Sequence, residues 1–114
     1  KVMMRWYGID GLRAEDTAKL AAALAAMELG SGLDGLFWLP VPAALLSPRQ
    51  AEHGESCGPH VMGLELEETS LRLELLVRAR GRLRCDCVQY ASPELRDAMI
   101  TWLEDLLAAQ NITD

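Results

Sequence analysis

The sequence predicts an α+β fold in two layers: a mostly antiparallel four- or five-stranded sheet, closing in a C-terminal β-meander, with two long helices on one face. Three observations carry this expectation. Apolar residues alternate through Val61–Tyr90, two other stretches repeat at helical spacing, and 114 residues suit one domain, 1–114, that buries a core without staples.

In the meander, Met62, Leu64 and Leu66 form one run, Leu71, Leu73, Leu75 and Val77 a second, and Leu83, Cys85 and Cys87 a third. A period of two puts each run on one face of a sheet. The turn Glu67-Glu68-Thr69-Ser70 pairs Leu66 with Leu71 and Leu64 with Leu73, and the same count continues to Met62 beside Leu75 and His60 beside Val77. A second hairpin through Ala79-Arg80-Gly81, with Gly81 left-handed, would set Val77 against Leu83, Leu75 against Cys85 and Leu73 against Cys87. The opposite face is charged except at Leu76, Val88 and Tyr90.

Before the meander, Met4–Ile9 reads as a short strand. The chain opens without an initiator methionine, and a natural start at Met3 or Met4 is one expectation. Ala14–Leu29 reads as a helix, with Glu15 and Asp16 in the first turn where the macrodipole favours acids, Gly30 as a left-handed cap, and Leu20, Leu24 and Met27 facing inward. Leu36–Val41, with Phe37 and Trp38, reads as a strand buried on both faces, joined to the first by a parallel crossover or arranged antiparallel to it. Ser47-Pro48-Arg49-Gln50 carries an N-cap, a proline at the first helical position and a capping-box glutamine, and Gly54 stops that short helix. Ser92-Pro93-Glu94 starts the second long helix, whose stripe of Leu95, Met99, Trp102, Leu103 and Leu106 runs to about Gln110.

Charge and hydropathy exclude several functions. A net charge of −6 and a pI near 4.8 argue against nucleic acid as a partner, with Arg78–Arg84 the one basic run. No apolar run approaches the ~20 residues of a membrane span. An odd number of cysteines, and acids before the alanine-rich helix where a signal peptide needs bases, point to a reducing, cytoplasmic setting.

The residues able to carry chemistry are concentrated. Both histidines and all three cysteines fall between His53 and Cys87, and His53-Gly-Glu-Ser-Cys57-Gly-Pro-His60 has a spacing that can wrap zinc. His53, Cys57 and His60 are the candidate ligands, with Glu55 or solvent completing the set. The hairpin register places Cys85 on the order of 12 Å from His60 at Cα, wide for ligands of one ion. Cys85 and Cys87 therefore read as buried free thiols, near the upper Cα separation for a disulfide and with parallel Cβ vectors. Cys57 could serve a thiol enzyme with His53 or His60 as base, but no third group or oxyanion donor accompanies it. No glycine-rich phosphate loop, serine elbow or paired catalytic carboxylates is present.

The favoured functional expectation is thus a non-enzymatic protein-interaction module, an acidic adaptor or chaperone-like homodimer that meets its partner through Leu76, Val88 and Tyr90 and needs no cofactor. Its alternative is a metal-binding protein built on the His53–His60 loop.

Overall fold

The computed structural model describes residues 4–113, so the expectation of a start at Met3 lies outside the described residues. The strands are β1 (Trp6–Ile9), β2 (Leu36–Pro40), β3 (His60–Leu66), β4 (Leu71–Glu74), β5 (Leu76–Ala79) and β6 (Gln89–Tyr90). The helices are α1 (Ala14–Ala26), α2 (Pro48–Glu52) and α3 (Pro93–Ala109), with a 3-10 turn at Ala43–Leu45. All strand pairings are antiparallel. β3 is the central strand, with β2 along one edge and β4 then β5 along the other; β1 flanks β4 and β6 flanks β5. The chain is α+β, with α1 and α3 on one face of the sheet.

That face is set by the alternation seen in the sequence. Phe37 opposes Leu64, Leu39 opposes Met62, Leu64 opposes Leu73, Leu66 opposes Leu71, and Tyr7 opposes Leu73. Leu20 and Leu24 of α1 and Leu95, Met99, Leu103 and Leu107 of α3 cover them to form the main core. Leu73, fully buried among β1, β3 and β4, is a test of this packing: Leu73→Ala should cost about 2–5 kcal/mol in denaturant unfolding.

The helix starts follow their signals. Ser47 and Gln50 make both bonds of the capping box, and the Ser92 hydroxyl accepts from the Leu95 amide. The helix ends differ in detail. α1 stops at Ala26 and its left-handed residue is Glu28 (φ 61°), not Gly30, so Met27 swings out to 40 % exposure. Trp102 sits on the rim of the α3 stripe rather than within it, and the inner positions go to residues four apart.

Three strand expectations are corrected. β1 and β2 do not form a parallel crossover; β4 and β3 stand between them, and every pairing is antiparallel. β2 is not buried on both faces, because only Phe37 and Leu39 point to the core while Leu36 and Trp38 lie half-buried on the outer face. The Trp38 ring has room there because it crosses Gly63, where a Cβ would come within 3.3 Å of it.

The third correction concerns the meander itself. Pairing follows the predicted count through Leu64↔Leu73, then breaks at Leu75, so that His60 meets Ala79 and not Val77. The break occurs where Leu75 turns its amide to the Arg5 carbonyl and its carbonyl to the Ala91 amide. Beyond Ala79 no hairpin forms: residues 80–88 make an irregular loop before β6 returns to β5 with Leu76↔Tyr90 and Val77↔Gln89. Leu83, expected inside, is 81 % exposed. Gly81 is not among the glycines with positive φ.

Candidate metal centre

The loop that replaces the third long strand is held against α2. Arg49 makes a two-pronged ion pair with Asp86, its Nε 2.9 Å from one carboxylate oxygen and its Nη2 2.7 Å from the other. Gln50, buried by its capping role, donates from Nε2 to the Cys87 carbonyl at 3.1 Å. The Ser47 hydroxyl donates to the Gln89 side-chain oxygen at 3.0 Å. The Arg49 pair holds Asp86 below the usual carboxylate range and raises Arg49 in turn. Three residues at the start of one short helix, Ser47, Arg49 and Gln50, thereby fix the course of 86–89.

A second set of contacts joins the same loop to the segment after α2. The Gly81 amide donates to the Cys57 carbonyl at 2.7 Å and the Arg80 amide to the Pro59 carbonyl at 3.0 Å. Backbone approaches so closely here that a Cβ on Gly81 would sit 2.6 Å from the Gly58 oxygen and 2.8 Å from that of Cys57. A Cβ on Gly58 would likewise collide with the Gly54 carbonyl. A cis Gly58–Pro59 peptide leads from this turn into β3.

These constraints bring His53, Cys57, Cys85 and Cys87 together, one donor atom from each lying within 4.8 Å of all the others. His53 caps the C-terminus of α2. Its Nδ1 is 3.2 Å from Cys85 Sγ and 3.5 Å from Cys57 Sγ. A tetrahedral zinc ion with metal–donor bonds of ~2.0–2.3 Å requires edges of roughly 3.6–3.8 Å, so the two His53–sulfur distances need to open slightly and no other pair needs to close by more than about 1 Å. Cys57 and Cys87 are fully buried, whereas His53 and Cys85 are partly exposed and form the outer side. Cys57, Ala79 and Cys87, with Val88 against them, make a small apolar cluster separate from the main core.

His60 lies outside this group of four. It is buried at the start of β3, with Nε2 3.5 Å from Cys87 Sγ, where it can polarise a sulfur already held by others. Burial, reinforced by the charge of His53, keeps its pKa below the ordinary value. A base depressed in this way stabilises the metal-free fold only while both states are neutral. As pH falls through about 6.5, the unfolded chain takes up a proton that the folded site resists, and stability declines. Urea unfolding at pH 7.5 and 5.5 should show a smaller acid loss in His60→Gln than in the parent chain.

The thiols are also differentiated. Hydrogen bonding from Ser56, opposed by burial and aided by His53 and the other cysteines, lowers Cys57 to about 7. Burial first, and then the neighbouring sulfurs, push Cys87 up to about 12. Metal-free, the pocket thus gives up a proton more readily at Cys57 than at Cys87, and an ion would have to displace a proton from the latter.

Of the three candidate ligands from the sequence, His53 and Cys57 share the cluster, His60 touches it from behind, and Glu55 is absent from it. Cys85 and Cys87 join it because the register that separated them from the histidines does not form. Of the residues expected at an interface, Leu76 faces Tyr90 across β5 and β6, with the Arg5 guanidinium over the Tyr90 ring, whereas Val88 leans on the cysteine cluster. All three are half-buried.

No protein-family model, curated protein or solved structure significantly matches the chain. Among the described residues, no helix is long and apolar enough to cross a membrane.

Proposed function

We propose that this chain is a non-enzymatic module whose irregular end is stapled by one structural zinc ion on His53, Cys57, Cys85 and Cys87. The observation that carries this reading is the convergence of four soft donors within 4.8 Å from two segments otherwise lacking regular structure. Three thiolates and one imidazole are a set that zinc takes in closed tetrahedral sites, and four protein ligands leave no position for a substrate. A role for the ion in shape rather than catalysis is the consequence. The arrangement of His60 behind Cys87 and of Gln50 on the Cys87 carbonyl supplies the outer contacts that orient ligands in such sites.

The rival reading of Cys57 as an enzymatic nucleophile is poorly supported, because its lowered pKa accompanies complete burial.

Elemental analysis of untagged protein purified without added metal tests the proposal, with one zinc per chain expected. Cobalt(II) substitution should give the intense visible bands of a tetrahedral thiolate site. A chain that neither retains zinc nor binds it at micromolar concentration would overturn the reading. Thiol labelling adds a kinetic check: with zinc bound all three cysteines should react slowly, and after chelation the partly exposed Cys85 should label first, ahead of buried Cys57 and Cys87.

A further inference from the structure

The loop that carries Cys85 and Cys87 also carries the most exposed large apolar residue described in the chain, Leu83, at 81 %. The next most exposed, Leu33 at 69 %, lies in the turn between α1 and β2. Both line one shallow cavity of about 350 Å³, together with Trp38, Arg78 and Arg80. The Arg80 guanidinium is stacked 5.7 Å from the centre of the Trp38 ring, so the cavity combines apolar walls with a cation.

Charge in this region opposes that of the whole molecule. The chain carries −6, yet Arg80, Arg82 and Arg84 follow one another at alternate positions, and among the described residues none has a carboxylate within ion-pair distance. Elsewhere Arg13, Arg49, Arg78 and Arg96 pair with carboxylates, while Arg5 and Arg72 lie over the Tyr90 and Trp6 rings. Two isolated leucines in water would be ordinary; two on one cavity with Arg80 in its wall, and Arg82 and Arg84 exposed in the same loop on either side of Leu83, form a surface with a definite complement.

We infer that the Leu33–Leu83 cavity docks an acidic peptide segment of a partner protein that inserts one large apolar side chain, its carboxylates meeting Arg80, Arg82 and Arg84. The chemistry favours this occupant over the others. A nucleic acid would satisfy the arginines but offers no aliphatic anchor, and it would be repelled at longer range by the net negative charge. A second copy related by a two-fold axis would bring the unpaired arginines toward their own mates. The placement of Leu83 and Arg80 rests on the metal reading above, since Cys85 and Cys87 fix the end of their loop.

Panning a displayed library of random peptides on zinc-loaded protein tests the inference. The enriched peptides should share acidic residues around a Leu, Met, Phe or Trp, and bind more weakly as salt is raised. Fluorescence anisotropy with a selected peptide should show roughly tenfold or greater losses of affinity for Arg80→Glu and for Leu83→Asp, both exposed and so not expected to unfold the chain. Metal content measured on the same samples separates the two proposals. Peptide binding that depends on Arg80 and Leu83 in a protein without metal would keep the docking site and remove the zinc. Stoichiometric zinc with no acidic consensus, or with peptides that ignore both substitutions, would overturn the docking site. It would also fall if oligouridine bound more tightly than any selected peptide, or if Leu83→Asp merely abolished self-association.

Discussion

Cys87→Ser should abolish stoichiometric zinc and lower the melting temperature of the zinc-loaded protein by on the order of 15 °C. A ligand present at a thousand times its dissociation constant stabilises the folded state by about 4 kcal/mol, and for a chain of this size each kcal/mol moves the midpoint by several degrees. The serine hydroxyl keeps the size of the side chain but is a poor zinc ligand near neutral pH. It also faces a fully buried setting in which the His60 ring nitrogen lies behind the former sulfur. Cys85→Ser isolates the metal contribution. Cys85 is partly exposed, so this variant should lose the ion equally while leaving the chelator-treated protein almost as stable as its parent. Calorimetry of the three proteins with zinc and with chelator checks both statements. Equal midpoints for parent and Cys87→Ser in zinc would mean that the cluster contributes nothing as a metal site.

How much of this was legible in the sequence depended on which force decided each segment. Where apolar burial ruled, alternation was sufficient: Leu64 and Leu66 face Leu73 and Leu71 because any slip would turn charged residues into the core. Capping chemistry was equally local, and Ser47, Gln50 and Ser92 do what their spacing implies. The third run failed because Leu83, Cys85 and Cys87 alternate in the same way without needing the sheet. Leu83 stays in solvent, and the two cysteines turn toward His53 and Cys57 on another segment. Such tertiary contacts leave no periodic trace. What did stand in the sequence was the inventory, two histidines and three cysteines within one third of the chain; the inferred hairpin geometry then divided them wrongly. Arg49, Gln50 and Asp86 gave no sign of clamping the loop, since a capping glutamine and an exposed ion pair look the same in any protein.

Gly81→Val should be severely damaging, far worse than Arg80→Ala next to it. The sequence suggested this through a left-handed turn, but the structure supplies a different reason. Gly81 has no positive φ; instead its Cα lies against the Cys57–Gly58 backbone, where a new Cβ would meet two carbonyl oxygens at 2.6 and 2.8 Å. Neither oxygen belongs to a flexible side chain, so the loops themselves must separate. The Gly81 amide would then lose the Cys57 carbonyl, and Cys57 would move away from Cys85 and Cys87. A loss of about 2–4 kcal/mol is expected from overpacking and the broken hydrogen bond, accompanied by loss of zinc. Gly81→Ala discriminates between the two explanations. In a left-handed turn, alanine relieves much of the strain of a β-branched residue, whereas at a backbone contact it introduces the same Cβ and should be nearly as harmful as valine. Arg80→Ala removes only an exposed side chain stacked over Trp38 and should cost less than about 1 kcal/mol. Urea unfolding of the three variants, with zinc counted in each, decides the matter. An alanine variant that keeps both its stability and its metal would show that the two loops do not meet as closely as described.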